Sequence, residues 1–478
     1  MSAARARRSL CMAGAGAVLA GPTALAFWSG GYFDEPRLWA GLAACALVGL
    51  GAVVAPLPRA AWTWLAVGAL VALAGWVWLS ASWAPLPGQA IADAQRVALY
   101  AAALLAAVLL LGAAPRAVEP SLALGAVVVT GYALAARLLP GLVDQTASRT
   151  ALGRLEQPLT YWNAAGALAA LGIVLCARLA GDGSRPRGVR IAAAAGVVPL
   201  GLGITLSFSR GALAALAAGL AVLCVLAPER AQLWAVGRAV MCGALAGAVG
   251  IGLDGVRALA GSDGHREAQG LVMLGVLAVL MGAAALHAAR PAPAGRIRRP
   301  GRGVLAGASV VLLVAMALAV TGRGVSSGTP EAGATPARLA SAESNRYAYW
   351  RVALDMFAEQ PLRGAGSGAF RVRWRRDREV TDPARDAHSL YLETAAELGL
   401  VGLALLGVFA AGLAGAARAA RRTSPAEAAG PAAGLVLWAL HTGIDWDWEM
   451  PALTLVALVL AGLLCTLSVP GARSGSAP

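Results

Sequence analysis

Long apolar runs separated by short polar breaks dominate this chain, and their lengths set the first expectation. Runs near or above the roughly 18 residues needed to cross a bilayer recur at about 10–28, 38–55, 62–81, 97–113, 118–139, 161–180, 190–206, 211–227, 232–253, 268–289, 303–321, 398–417, 429–444 and 451–469. Each reads as a membrane-crossing helix, because hydrocarbon offers the backbone no partner but itself. The predicted fold is all-α: a polytopic integral membrane protein of about fourteen transmembrane helices, twelve at the least.

Two of the breaks are long. One spans about 140–160 and the other about 322–397. The pattern thus divides the chain into an N-terminal helix bundle over 1–321, a long loop over 322–397, and C-terminal membrane helices with a tail over 398–478. Residues 322–342 are rich in Gly, Ser, Thr and Pro and read as a flexible lead-in. From Ser344, Tyr347, Trp350, Leu354 and Phe357 recur at helical spacing, and Pro361 ends that helix. A glycine turn follows at Gly364, Gly366 and Gly368, then the basic run Arg371 to Arg378. A second loop helix is predicted to start at Asp382-Pro383 and to carry His388, Tyr391, Leu392 and Glu393 before Gly399.

Composition supports the bilayer: 58% of the 478 residues are hydrophobic and 13% charged, too little polar surface to clothe a soluble globule. The net charge of +14 is a topology signal and a contact with anionic lipid rather than a nucleic-acid footprint, since no aromatic-interleaved basic module accompanies it. With the N-terminus inside, Arg59, Arg116, Arg178 to Arg190, Arg230, Arg238, Arg290 to Arg302 and Arg418 to Arg422 all fall inside. Both termini are then cytoplasmic and the long loop extracytoplasmic. The basic residues are all arginine, with much alanine and glycine, the usage of a GC-rich bacterium. The six cysteines lie in apolar segments with no C-x-x-C pair, so they read as buried thiols rather than a disulfide framework or zinc site.

Candidate chemistry collects in and around the long loop. Arg210, in Ser207-Phe208-Ser209-Arg210-Gly211, sits at a predicted tight turn between two membrane helices. An arginine there either snorkels to the head groups or meets an anion, such as a carboxylate or phosphate. Arg346 stands at the start of the first loop helix, where a charge is ordinarily the solvated face. His388 is the sole histidine of the loop; it is either structural or a proton acceptor for a hydroxyl nucleophile. The glycine turn reads as a flexible connection, since no strand-helix unit surrounds it. Asp445-Trp446-Asp447-Trp448-Glu449 has acids spaced for a cation, but it reads better as an interfacial aromatic belt whose acids pair with loop arginines.

Together the S-x-S-R-G turn, the R-Y-x-Y-W helix, the P-L-x-G-x-G-x-G-x-F turn and the A-H-S-L-Y-L-E-x-x-x-E-L-G-L-V-G segment resemble the O-antigen ligase and O-antigen polymerase superfamily of bacterial membrane glycosyltransferases. The resemblance is specific over 344–402 and otherwise lies in hydropathy and in Leu159-Thr160-Tyr161-Trp162-Asn163-Ala164. It implies an enzyme of the cytoplasmic (inner) membrane, working at its outer face. Such an enzyme moves a glycan from an undecaprenyl diphosphate carrier to a hydroxyl acceptor on a glycan, lipid or protein, with inversion and with neither metal nor cofactor. It implies that Arg210 and Arg346 hold the diphosphate and that His388 is the catalytic base. Arg351, Arg371 and Tyr391 are lesser candidates for shaping the site. Where many relatives carry His-Asn, this chain has His388-Ser389.

Within that superfamily a polymerase of lipid-linked repeat units and a protein O-oligosaccharyltransferase share the same donor, so the acceptor alone separates them. A lipid or polysaccharide transporter is the reading from another class. It would place ionisable residues near the midplane, whereas the polar inventory here is gathered in one loop. A non-catalytic scaffold would tolerate loss of His388 and both arginines.

Overall fold

The computed structural model describes residues 3–143, 148, 150–291, 295–296, 333–337, 344–378 and 382–469. The predicted span at 303–321, most of the lead-in at 322–342 and the boundary near residue 321 lie outside them. Each remaining apolar run lies on a helix: α1 (Ala3–Ala26), α2 (Asp34–Val54), α3 (Ala61–Ser80), α4 (Pro87–Leu110), α5 (Val118–Leu138), α6 (Trp162–Gly181), α7 (Arg187–Leu206), α8 (Arg210–Leu226), α9 (Arg230–Gly252), a short α10 (Asp254–Arg257) and α11 (Asp263–Ala289). After the undescribed stretch come α12 (Arg346–Glu359), α13 (Ala369–Asp377), α14 (Leu390–Thr423), α15 (Pro425–His441) and α16 (Pro451–Leu467). Ten helices among the described residues are long and apolar enough to cross a membrane, and α8 and α16 are shorter apolar helices. The protein is an all-α polytopic membrane protein.

Burial sorts these helices. Along α16 every residue but Thr466 is buried, and along α6 every residue but Trp162 and Ala180, so these two form the centre. By contrast α2 and α11 turn most of their surface outward, as helices facing lipid do. Small residues let backbones close up, as between Gly201 of α7 and Gly243 of α9.

Turns at one end of the bundle interlock. Arg137, at the end of α5, donates to the carbonyls of Gly153, Val256 and Arg257 at 2.6–2.9 Å. The Leu390 amide bonds to the Thr442 carbonyl at 2.9 Å. Over this end lies a separate small core of Tyr349, Trp350, Met356, Phe370 and Trp374, which joins α12 and α13 to the segment before α14.

Helix α14 is broken at Gly399, whose φ of +64° no helix contains. Loop residues use the break: Leu400 N bonds to Pro361 O at 2.8 Å and Val401 N to Leu362 O at 3.3 Å. A Cβ at Gly399 would sit 2.4 Å from Leu362 O, so only glycine fits. The loop is thereby locked to the first turns of a membrane helix.

One predicted element is corrected. Residues 382–389 are not helical; the helix begins at Leu390, with Ser389 Oγ accepting from Leu392 N. Glu393 reaches back to Ala387 N at 2.8 Å, which fixes the chain leading into the cap. His388, at φ +53°, is therefore the last residue before the helix cap.

Candidate functional site

Arg346 opens α12 and points into the bundle. Its Nη2 donates to Asp445 Oδ2 at 2.5 Å, across 99 positions of sequence. Asp445 is wholly buried, in the turn between α15 and α16, and accepts further bonds from Tyr161 Oη at 2.7 Å and from its neighbour Trp446 N at 3.0 Å. Asn163 donates in turn to Tyr161 Oη at 2.7 Å. Burial would push the Asp445 carboxyl up, but Arg346, then His388 and His441, hold it below the usual carboxylate range. Likewise burial disfavours the Arg346 cation and Asp445 outweighs it, so this pair is ionised.

His388 lies beside that pair, between the rings of Tyr349 and Trp446 at 5.1 and 5.9 Å. Its Nδ1 meets the Asp386 carbonyl at 3.0 Å. A carbonyl only accepts, so Nδ1 carries the proton and Nε2 of the neutral ring has a free lone pair. Burial lowers the imidazole below its ordinary value, with Asp445 opposing and Arg346 reinforcing that shift. The backbone there is left-handed, at φ +53°, a conformation uncommon for a residue other than glycine.

The Ser207–Arg210 turn brings in the third residue. Phe208, buried at φ +50°, forces a sharp reversal, and Ser209 caps α8 by accepting from Ala212 N at 3.2 Å. Arg210 thus occupies the first helical position, near enough to Arg346 for the two guanidiniums to repel each other. The α8 N-terminus, Arg210 and Arg346 together make a positive locus suited to an anion. Beneath it, His441 Nδ1 and Asp447 Oδ2 lie 2.5 Å apart, both fully buried. A Cβ at Gly211 would come 3.4 Å from His441 Nε2, which shows how closely this pair underlies the α8 turn.

The sequence-derived residues sort accordingly. Arg210, Arg346 and His388 come together. Arg371 stands apart from them, on the wall of a polar cavity of about 220 Å³ whose lining also includes Arg96, Arg385, Asp386 and Glu449. Arg351 is on the exposed side of α12. Tyr391 donates to the Ala439 carbonyl at 2.7 Å and packs on Gly443, tying α14 to α15. The glycine turn is filled by protein: Gly368 N and Phe370 N bond to the Glu397 carboxylate at 2.9 and 2.8 Å.

The Asp445–Glu449 turn departs most from expectation. Trp448 is buried against Tyr100 and Trp438 and is a core residue rather than part of an interfacial belt, while the half-buried Trp446 packs among Tyr32, Tyr161 and His388. The acids diverge, Asp445 to Arg346, Asp447 to His441 and Glu449 to Arg96 at 3.3 Å. Among the described residues no three His, Cys, Asp or Glu side chains are grouped to hold a metal ion. The expected pairing with a loop arginine holds for Asp445 and Arg346 alone of the three acids, and sequence reasoning missed Asp445 and Tyr161 as members of the candidate site. Their signals were the acidic turn Asp445 to Glu449 between two apolar helices and the Tyr161-Trp162-Asn163 fragment.

Residues 267–407 match the family model described as O-Antigen ligase. The matched stretch holds Arg346, His388 and α12 to the start of α14; Arg210, Tyr161 and Asp445 come from outside it. No curated protein matches the chain.

Proposed function

We propose that this chain, a member of the O-antigen ligase superfamily, is a membrane glycosyltransferase that moves a glycan from an undecaprenyl diphosphate carrier to a hydroxyl acceptor. The observation that carries the reading is the placement of His388 Nε2, unprotonated by virtue of the Nδ1 bond to Asp386, beside a guanidinium held by a buried carboxylate.

The acceptor O–H gives its proton to His388 Nε2 as its oxygen bonds to the anomeric carbon. The bond from that carbon to the phosphate oxygen breaks, and its electron pair leaves with undecaprenyl diphosphate. In-line attack inverts the anomeric centre. Arg346, Arg210 and the α8 N-terminus take up the charge that grows on the departing oxygens. Asp445 aims Arg346 and offsets its repulsion from Arg210. An apolar cavity of about 320 Å³ between α1, α2, α4 and α16, beginning at Trp28 and Pro36, suits the polyprenyl tail. On this proposal the site lies at the extracytoplasmic face of the bacterial inner membrane and both termini lie in the cytoplasm.

The test is release of undecaprenyl diphosphate by purified full-length protein given a lipid-linked oligosaccharide and envelope acceptors, in EDTA. Wild type is expected to release carrier and His388→Ala to lose at least about 100-fold of the rate. A His388→Ala protein as active as wild type sinks the proposed base. The glycosylated product tells ligase, polymerase and protein glycosylation apart.

A further inference from the structure

A groove of about 590 Å³ runs between α9 and α11 at the end of the bundle opposite His388. Leu233, Trp234, Met241 and Ala283 give it apolar walls, and Arg238 and His287 are its ionisable members. Trp234 and Met241 are 56% and 62% exposed, so the groove faces outward, where a bilayer would lie.

Arg238 is two turns inside a membrane helix, and among the described residues no carboxylate lines the groove beside it. Its charged neighbour is another cation, Arg190. Arg190 and Arg187 donate to the last carbonyls of α11, Ala288 and Ala289, at 3.5 and 3.3 Å. The nearby acid Glu229 is engaged by Arg296 at 3.5 Å. Trp234 stacks on His287 with ring centroids 6.1 Å apart, so a second potential donor stands at the same end of the groove. A cation left without a carboxylate at a membrane boundary calls for an anion, and a guanidinium matches a phosphate. The apolar walls running on from it match an acyl chain.

We propose that this groove binds an anionic phospholipid, with the phosphate on Arg238 and His287 and an acyl chain along Trp234, Met241 and Ala283. The site is independent of the catalytic reading. Its ligand is a membrane lipid of net negative charge, for which one arginine contributes about a fivefold preference over a zwitterionic lipid.

Delipidated full-length protein in detergent is titrated with phosphatidylglycerol, phosphatidylcholine or inorganic phosphate, and retained lipid is counted by native mass spectrometry. Wild type is expected to retain phosphatidylglycerol about fivefold better than phosphatidylcholine. Arg238→Gln is expected to erase that preference. Ala283→Phe, which fills the groove from an exposed position on α11, is expected to abolish retention of both lipids. Equal retention of the two lipids by wild type, or a preference surviving Arg238→Gln, overturns the proposal. So does displacement of phosphatidylglycerol by millimolar phosphate, which would mark a bare anion site. Absence of any retained lipid would show another occupant, such as residues 303–321 of this chain, and would overturn it equally.

Discussion

At the scale of single residues the site hinges on a neutral imidazole next to an ion pair. Because burial lowers the His388 value, the ring is neutral above its ordinary range near 6.5 and stays so somewhat below it. A base must be unprotonated, so kcat/KM is expected to fall on the acid side with an apparent pKa below that of a free histidine. Asp445 raises the His388 value and Arg346 lowers it. Asp445→Asn should therefore move the acid limb to lower pH and Arg346→Gln to higher pH, beyond any loss of rate. A limb unmoved by both changes would mean that His388 is not the titrating group.

Asp386 offers a second pH signature. Burial raises its carboxyl to about 6. The folded state thus binds a proton that the unfolded chain, at about 3.9, has already lost. Its contribution to stability is complete below the unfolded value and is lost as pH rises through about 6. Asp386→Asn should flatten the pH dependence of thermal unfolding across that window, and an unchanged slope there would refute the assignment. His388, Arg346 and Arg210 were legible as candidates because their motifs carry them, and the fold brings the three together. Asp445 was not, since an acid opening a tryptophan-rich turn at a helix end looks interfacial until Arg346 arrives from 99 residues away.

At the scale of elements, hydropathy located the membrane helices because length and apolar content alone decide whether a segment crosses. The loop was harder. Asp382-Pro383 looks like a helix start, yet the Asp382 carboxylate is taken by Asn345 at 2.8 Å and by Tyr349 at 2.6 Å, so it serves α12 instead of capping its own helix. The cap falls to Ser389, and the displaced start leaves His388 outside the helix, at φ +53°. The glycine turn is the other element on which the site depends. Gly366 has φ +93°, and a Cβ there would lie 2.5 Å from Ala84 Cα, backbone that cannot yield. Gly366→Ala should therefore cost about 1–3 kcal/mol and lower Tm. It should also reduce activity, because α13 would no longer seat on Glu397. Wild-type Tm and rate in that variant would show that the loop is not docked through this turn.

At the scale of the whole molecule, two buried polar networks stand at opposite ends of an apolar bundle and do different work. The sequence allotted Arg178 and Arg185 to topology, yet both are buried. Arg185 pairs with Glu119 at 2.5 Å, and Arg178 with Asp182 at 2.9 Å and with Gln232 at 3.3 Å. Arg178 also donates to the Ala426 carbonyl at 2.7 Å, so the cluster ties α5, α6, α9 and α15 together. Positive charge at a boundary reads as orientation from sequence alone, because Glu119, the acid that takes Arg185, sits on another helix.

Glu119 is 1% exposed, so removing its partner strands a charge in the interior. Arg185→Ala is expected to destabilise the protein by about 3–5 kcal/mol. Arg185→Met with Glu119→Gln, which removes both charges, should recover most of that loss. Carrier release per folded molecule should remain at the wild-type rate in both. His388→Ala should do the opposite, losing the rate and keeping the Tm. Unfolding titrations alongside single-turnover assays separate these effects. A loss of rate per folded molecule in Arg185→Ala would mean that the two ends are coupled and that the distant network helps to set the geometry at Arg210 and Arg346.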